Sequence, residues 1–189
     1  MSPALIAVIA IGAVLFVLAL WAIGVYNRFI ALRNHIRESW SGVDVELKRR
    51  YNLIPSLVNT AKGYMKHEQE TLEKVIQARN TAAANHGPVD SQAKDETQLT
   101  GVLRQFFALA ESYPELKADS HFLKLQEELS NTEDRIAASR RFYNGNVREF
   151  NTLRQVFPSS IIAGFGNFTA EPFFELEDEA ARRMPEVAF

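Results

Sequence analysis

ALIAVIAIGAVLFVLALWAIGV, residues Ala4–Val25, is the stretch whose reading decides the fold. It contains no charged residue. At about 1.5 Å rise per residue, a helix of roughly 22 residues spans about 33 Å, against a hydrocarbon core of about 30 Å. Trp21 and Tyr26 lie toward its C-terminal end, where amphipathic rings prefer the bilayer interface. Arg28, Arg33 and Arg37 follow, while Met1-Ser2-Pro3 contributes only the α-amino group. The positive-inside rule then places the N-terminus outside and the remainder in the cytoplasm, with a single pass between them. A cleaved signal peptide needs a basic start and a shorter apolar run of roughly 7–15 residues, and this stretch has neither. Helices apolar all round for this length belong in lipid rather than in a soluble core. Trp21, Tyr26, Arg28, Arg33 and Arg37 are therefore the candidate contacts with lipid and its interface.

Working outward, Phe29, Leu32, Ile36, Trp40, Val43 and Leu47 step by three or four and share one helical face. No breaker separates them from the apolar stretch, so one continuous helix is predicted from about Pro3 to about Asn52. Pro55 is the first interruption. Proline suits a first helical turn, and Asn52 can cap it, so a second helix is expected over roughly 53–85. A kinked continuation of the first helix is the alternative. Asn85-His86-Gly87-Pro88 is a stop signal. A third helix is expected over about 92–112, ended by Pro114. A fourth, capped by Asp119 or Ser120, carries a seam of Phe122, Leu125, Leu129, Thr132, Ile136, Ser139, Tyr143, Asn146, Phe150, Leu153 and Phe157, polar at Thr132, Ser139 and Asn146. Those steps of three and four over about five heptads favour coiled-coil-like packing. Glu133 and Arg140 stand at the edge of that seam. Trp40, Tyr64, Phe106, Tyr143 and Phe150 are the expected core aromatics.

The expected architecture is all-α, with an N-terminal transmembrane helix continuous with the first helix of a long antiparallel bundle. Three parts follow: an anchor over 1–27, a helical bundle over 28–157 and an aromatic, acidic tail over 158–189. In the tail SIIAGFGNF is uncharged, and FFELEDEAARR suggests a short helix after Pro172. An uncharged aromatic stretch either docks on its own bundle or meets a partner or lipid. Ile161, Ile162, Phe165 and Phe168 are the candidate partner contacts.

Reactive chemistry is sparse. The chain has no cysteine, which removes disulfides, thiolate metal sites and cysteine nucleophiles. Its net charge of -2 does not favour nucleic acid. His67-Glu68 lacks the second histidine of a helical zinc motif, since Thr71 stands four residues on. No histidine follows a glutamate by three, as a di-iron bundle requires. Gly164-Phe165-Gly166 lacks the remaining glycine of a dinucleotide fingerprint. No catalytic, cofactor-binding or metal-ligating residue is assigned, and no cofactor. Lys48-Arg49-Arg50 and Arg140-Arg141 form basic patches suited to acidic headgroups, or else ion pairs with residues such as Glu46 and Glu133.

Three blocks carry a family likeness: RNHIRESWSGVDVELKRRYNLIPSLVNTAKGYMKHEQETL (33–72), AESYPELKADSHFLKLQEELSNTEDRIAASRRFYN (110–144) and FPSSIIAGFGNF (157–168). With the N-terminal anchor they resemble the LemA family of bacterial membrane proteins. Asp119-Ser120-His121 departs from the Asn-Glu-Asn common there. The resemblance implies a single-pass protein of the bacterial cytoplasmic (inner) membrane, its domain of long antiparallel helices on the cytoplasmic side. It supplies no reaction. Family members are often encoded beside membrane metalloproteases or TPM-domain proteins, which puts membrane proteases among the expected partners. The functional expectation is a non-enzymatic scaffold that partners the bilayer and either copies of itself or other membrane proteins. A membrane-surface organiser, binding anionic lipid through Arg28, Arg33, Arg37 and Lys48–Arg50, is the alternative. An enzyme subunit would require a deep polar pocket.

Overall fold

The computed structural model describes residues 2–176. These contain six helices and no strand: α1 (Pro3–Lys62), α2 (Gln69–Ala84), α3 (Val89–Ala110), α4 (Pro114–Ala118), α5 (Ser120–Gln155) and α6 (Ser159–Phe165). The all-α expectation holds, and the anchor runs into the first bundle helix without interruption. The expected helix after Pro172 lies mostly outside the described residues; Pro172–Leu176 are non-helical.

The described chain forms two compact units. The first comprises residues up to Trp40 with Phe142–Glu171, and the second Ser41–Arg141 with the stretch from Pro172. Helices α1 and α5 contribute to both.

In the first unit, the apolar stretch of α1 is unburied along its whole hydrophobic window. Burial begins at Phe29 and continues at Leu32 and Ile36, on the face that the spacing predicts. The facing residues are Tyr143, Val147 and Phe150 of α5. The two helices run antiparallel: Trp40 meets Tyr143 at 5.3 Å between centroids, and Phe29 meets Phe150 edge-on at 5.6 Å. Helix α6 then folds back. Ser159 Oγ donates to the Leu153 carbonyl at 2.6 Å, and Asn151 exchanges two hydrogen bonds with the Glu171 backbone at 2.9 and 3.0 Å. The return turn uses Asn167 at φ 51°, a left-handed conformation that asparagine tolerates. Before it, Gly166 leaves room for Phe168, whose ring would clash with a Cβ there.

The second unit corrects one expectation. Pro55 neither starts a helix nor ends one; α1 passes through it to Lys62. A proline inside a helix leaves the carbonyl four residues earlier without its N–H partner. That carbonyl belongs to Tyr51, and Arg79 Nε of α2 donates to it at 2.9 Å. A neighbouring helix thus supplies the bond that Pro55 cannot. The break falls instead at 63–68, after which α2 begins. There Tyr64 Oη donates to Asp119 Oδ2 at 2.9 Å, and Tyr113 Oη donates to Glu68 Oε1 at 3.1 Å.

Asp119 caps α5 as expected: its Oδ1 accepts from the backbone N–H groups of His121 (2.9 Å) and Phe122 (2.8 Å). The α5 seam buries Phe122, Leu129, Thr132, Ile136, Tyr143 and Phe150. Phe157 leaves the pattern, at 81% exposed, because α5 ends at Gln155. Of the expected core aromatics Phe106, Tyr143 and Phe150 are buried. Trp40 is half-buried, and so is Tyr64, which the 63–68 turn holds at the edge where its hydroxyl reaches Asp119.

Candidate functional site

The most chemically distinctive side chains of the second unit surround Arg50. Helical spacing puts Arg50 on the same face of α1 as Val43, Leu47 and Ile54, and it is 0% exposed. On α3, Gln92 and Glu96 stand one turn apart and face inward with Leu99 and Leu103. The Arg50 guanidinium pairs with the Glu96 carboxylate, both side chains being fully buried. Its Nη1 also donates to Glu133 Oε1 of α5 at 2.7 Å. The Tyr51 hydroxyl donates to Glu96 Oε1, and Gln92 Nε2 lies 2.9 Å from that oxygen and 3.1 Å from the Ala82 carbonyl. Three helices, α1, α3 and α5, thus meet at one cation, and α2 joins through Ala82.

Burial governs the electrostatics. An isolated buried charge costs several kcal/mol even after relaxation, which only close pairing and filled hydrogen bonds offset. Burial also pushes the Tyr51 phenol up to about 12, against the opposing pull of Arg50. The phenol therefore remains a donor to Glu96 throughout the physiological range. The arrangement has the acid, base and hydroxyl of a reactive set, yet its groups are committed to one another inside a packed core. It ties helices together.

The first unit has a different focus. Phe168 stacks on Phe29 at 4.4 Å between centroids, with Phe150 at 6.2 Å and Tyr26 at 5.5 Å. The Arg33 guanidinium lies 4.8 Å from the centre of the Phe168 ring, a cation–π distance. This clasp holds the end of α6 against α1.

The candidate lipid and interface residues divide accordingly. Trp21, Tyr26 and Arg37 are exposed. Arg28 pairs with Glu149 at 3.0 Å, and Arg33 is turned onto Phe168. Among the candidate partner contacts, Ile161 and Phe165 are exposed, Ile162 is half-buried and Phe168 is buried at 5% exposure. The expected basic run also divides. Lys48 pairs with Asp44 at 2.6 Å, Arg49 is exposed and Arg50 is in the core. Glu96, Gln92 and Tyr51 were not singled out by the sequence. The signal that marks them is a polar pair, Gln92 and Glu96, on the face of α3 that carries Leu99 and Leu103.

Two open grooves lie in the second unit. One, of about 550 Å³, is bordered by Asp90, Lys94 and Gln98 of α3 and by Phe173 and Glu175. The other, of about 430 Å³, runs along α2 beside Glu73, Gln77 and Asn80. Neither is lined by a histidine, and no group of three or more metal-ligating side chains occurs among the described residues.

Comparison with known proteins identifies a family and several relatives. A family model described as the LemA family matches residues 39–189. The chain is similar to "Protein LemA" of Metamycoplasma hominis, 28% identical over 141 residues, covering 75% of this chain and 64% of that protein. It is also similar to "Magnetosome protein MamQ" of Magnetospirillum gryphiswaldense, 21% identical over 174 residues, covering 79% of this chain and 64% of that one. "Magnetosome protein MamQ 1" of Paramagnetospirillum magneticum matches at 21% over 175 residues, with the same coverage of 79% and 64%. The chain thus spans less than two thirds of the length of these relatives.

Proposed function

The chain belongs to the LemA family, and from that premise we propose that it is a non-enzymatic, membrane-anchored helical scaffold that assembles with copies of itself or with other membrane proteins. The observation that supports this reading is the continuity of α1. Its unburied apolar window and the bundle face starting at Phe29 belong to one helix, Pro3–Lys62. A flexible tether would only localise the bundle. A continuous helix also fixes the direction in which the bundle leaves the bilayer, which is useful to a protein that must present surfaces to neighbours. Its polar centre is consumed by helix packing, and none of the relatives' names denotes a reaction. We place it in the bacterial cytoplasmic membrane with its N-terminus outside, and count membrane proteases among the partners worth testing.

The alternative of an organiser acting through juxtamembrane cations has less to work with. Arg28 and Lys48 are paired, Arg33 is on a ring and Arg50 is buried, which leaves Arg37 and Arg49. Native mass determination of the detergent-solubilised full-length protein tests the scaffold. The expected result is a defined oligomer or a complex with co-purifying membrane proteins. A monomer that captures nothing would refute it. Vesicle binding that is strong, anionic-lipid-dependent and salt-sensitive would favour the organiser instead.

A further inference from the structure

Outside the apolar stretch of α1, most of the exposed apolar side chains of the first unit lie where α5 turns into α6. Phe157 is 81% exposed and Phe165 85%, with Val156 and Ile161 also exposed. From Val156 to Phe168 there is no charged residue. Within α6, Ser159 and Ala163 face the protein, while Ile161 and Phe165, one turn apart, share the outward face. The outward face of this short helix is thus apolar where a solvated helix would be polar.

The antiparallel register says how far along the anchor this face lies. Phe29 sits against Phe150, and each step forward on α5 matches one step back on α1. Gln155, five residues beyond Phe150, is therefore level with Gly24, five residues before Phe29. Gly24 belongs to the apolar stretch and precedes Tyr26, the residue at its interfacial end. The turn at Phe157 lies at or beyond that level, about 3 Å or more past Tyr26 at 1.5 Å per residue. The clasp fixes the other end of α6, since Phe168 touches both Tyr26 and Phe29.

We infer that the α5–α6 turn and the outward face of α6 are a second membrane contact, a shallow wedge that seats Phe157, Ile161 and Phe165 among the upper acyl chains beside the anchor. The occupant of this face is the bilayer, because the face continues the anchor's own lipid-facing surface at the same depth. Interfacial helices bury an apolar face about 5–10 Å into the headgroup–acyl boundary, and the register puts this turn on the acyl side of Tyr26. The inference rests on the anchor's lying in the bilayer. It adds a lipid-binding element that neither the apolar stretch nor the juxtamembrane arginines supply.

The absence of cysteine makes the test direct. Phe165→Cys and, separately, Phe157→Cys are made in the full-length protein, labelled with an environment-sensitive fluorophore and reconstituted into phosphatidylcholine vesicles. Nitroxides are carried by lipids near the glycerol end, by lipids near the methyl end, or by a water-soluble quencher. Val14→Cys reports the middle of the span. Phe142→Cys reports an exposed aromatic position next to Tyr143, about 21 Å along α1 from Tyr26. Far-UV circular dichroism confirms that each labelled protein retains its helices. The wedge predicts several-fold stronger quenching of both α6-region labels by the shallow lipid nitroxide than by the aqueous quencher, with the opposite order at Phe142. Aqueous quenching of Phe165 and Phe157 labels equal to that at Phe142, while Val14 is quenched by the deep lipid nitroxide, overturns the wedge and spares the anchor. Labels shielded from both water and lipid overturn it in favour of a protein occupant. Failure of lipid nitroxides to quench Val14 overturns both.

Discussion

The two compact units fasten antiparallel helices by contrasting chemistry. In the first, Phe29, Phe150 and Phe168 close on one another with Arg33 over the ring, and the hold comes from apolar burial and aromatic packing. In the second, Arg50 draws Glu96 and Glu133 onto one point while Tyr51 and Gln92 donate to Glu96 Oε1. Aromatic burial adds stability but discriminates weakly between neighbouring registers, because one ring can pack against another in several ways. A buried ion pair contributes little net stability, yet a slip by one turn would strand a charge in the core. The difference teaches that the clasp supplies adhesion and the Arg50 network supplies register.

The largest expected effect comes from breaking the network on one side. Glu96→Ala leaves Arg50 buried with Glu133 alone and should cost about 3–5 kcal/mol, read from denaturant unfolding of the full-length protein in detergent. Removing both members should be far milder. Arg50→Met with Glu96→Leu should come within about 1–2 kcal/mol of the unmodified protein, since apolar replacements of similar volume often restore what a buried pair provides. If the double substitution is as damaging as the single one, the network contributes adhesion after all and the contrast collapses. If it is stable but shows heterogeneous helix pairing by cysteine crosslinking, the register role is sharpened.

Phe168→Ala probes the other unit. Truncating a buried phenylalanine costs roughly 3 kcal/mol through lost transfer energy and the cavity left behind. The loss should fall on α6, seen as faster proteolysis within 156–170 while cleavage of the second unit is unchanged. The matched substitution Phe165→Ala removes an exposed ring and should change stability by under about 0.5 kcal/mol. Equal effects at the two positions would mean that the clasp does not hold α6.

That pair also shows how much the sequence could tell. Phe165 and Phe168 stand three residues apart in one uncharged stretch, and both read as partner contacts. Burial separates them because Gly166 and Asn167 turn the chain back onto Phe29, a contact made across more than a hundred residues. The continuity of α1 was legible, since unbroken three-and-four spacing leaves no room for a linker. The passage through Pro55 was not, because the bond that rescues the Tyr51 carbonyl comes from Arg79 of another helix. Glu133 was legible as a pairing residue on the seam edge. Arg50 hid among Lys48 and Arg49, where only the phase of the helix distinguishes a core cation from its solvated neighbours.

A smaller effect is expected when the network loses one donor. Tyr51→Phe keeps the ring and leaves Glu96 short of a hydrogen bond, for about 1–3 kcal/mol. The same residue has a pH signature. Its folded-state value is raised to about 12 from the ordinary 10. The protonated phenol therefore stabilises the fold fully below pH 10, and that contribution is lost as pH climbs through 10 toward 12. The Asp119 hydrogen bond also raises Tyr64, and burial with the Glu68 hydrogen bond raises Tyr113, so ultraviolet titration should show several late tyrosines, and Tyr51→Phe should remove the latest of them. Late amplitude that is undiminished in Tyr51→Phe would remove Tyr51 from the buried network.

The smallest effect is assigned to Asp119, at the surface end of the second unit's longest seam. The Phe122 backbone N–H, then the Tyr64 hydroxyl, favour its ionised form and hold its carboxyl below the ordinary value of 3.8. A lowered folded-state value means that the stabilisation is present above the unfolded value and disappears as pH falls through the folded one. Asp119→Ala should therefore lower the melting temperature near neutral pH, and the deficit should shrink steadily below about pH 4, the unfolded-state value for aspartate. Asp119→Asn separates charge from geometry, because an amide oxygen still accepts from the backbone N–H groups that start α5. It should retain most of the stability and lose the pH dependence. A deficit that is constant from neutral to acid pH would show that the cap acts through hydrogen bonding alone. The contrast between a charge buried for register and one at the surface for a helix start would then rest on geometry rather than ionisation.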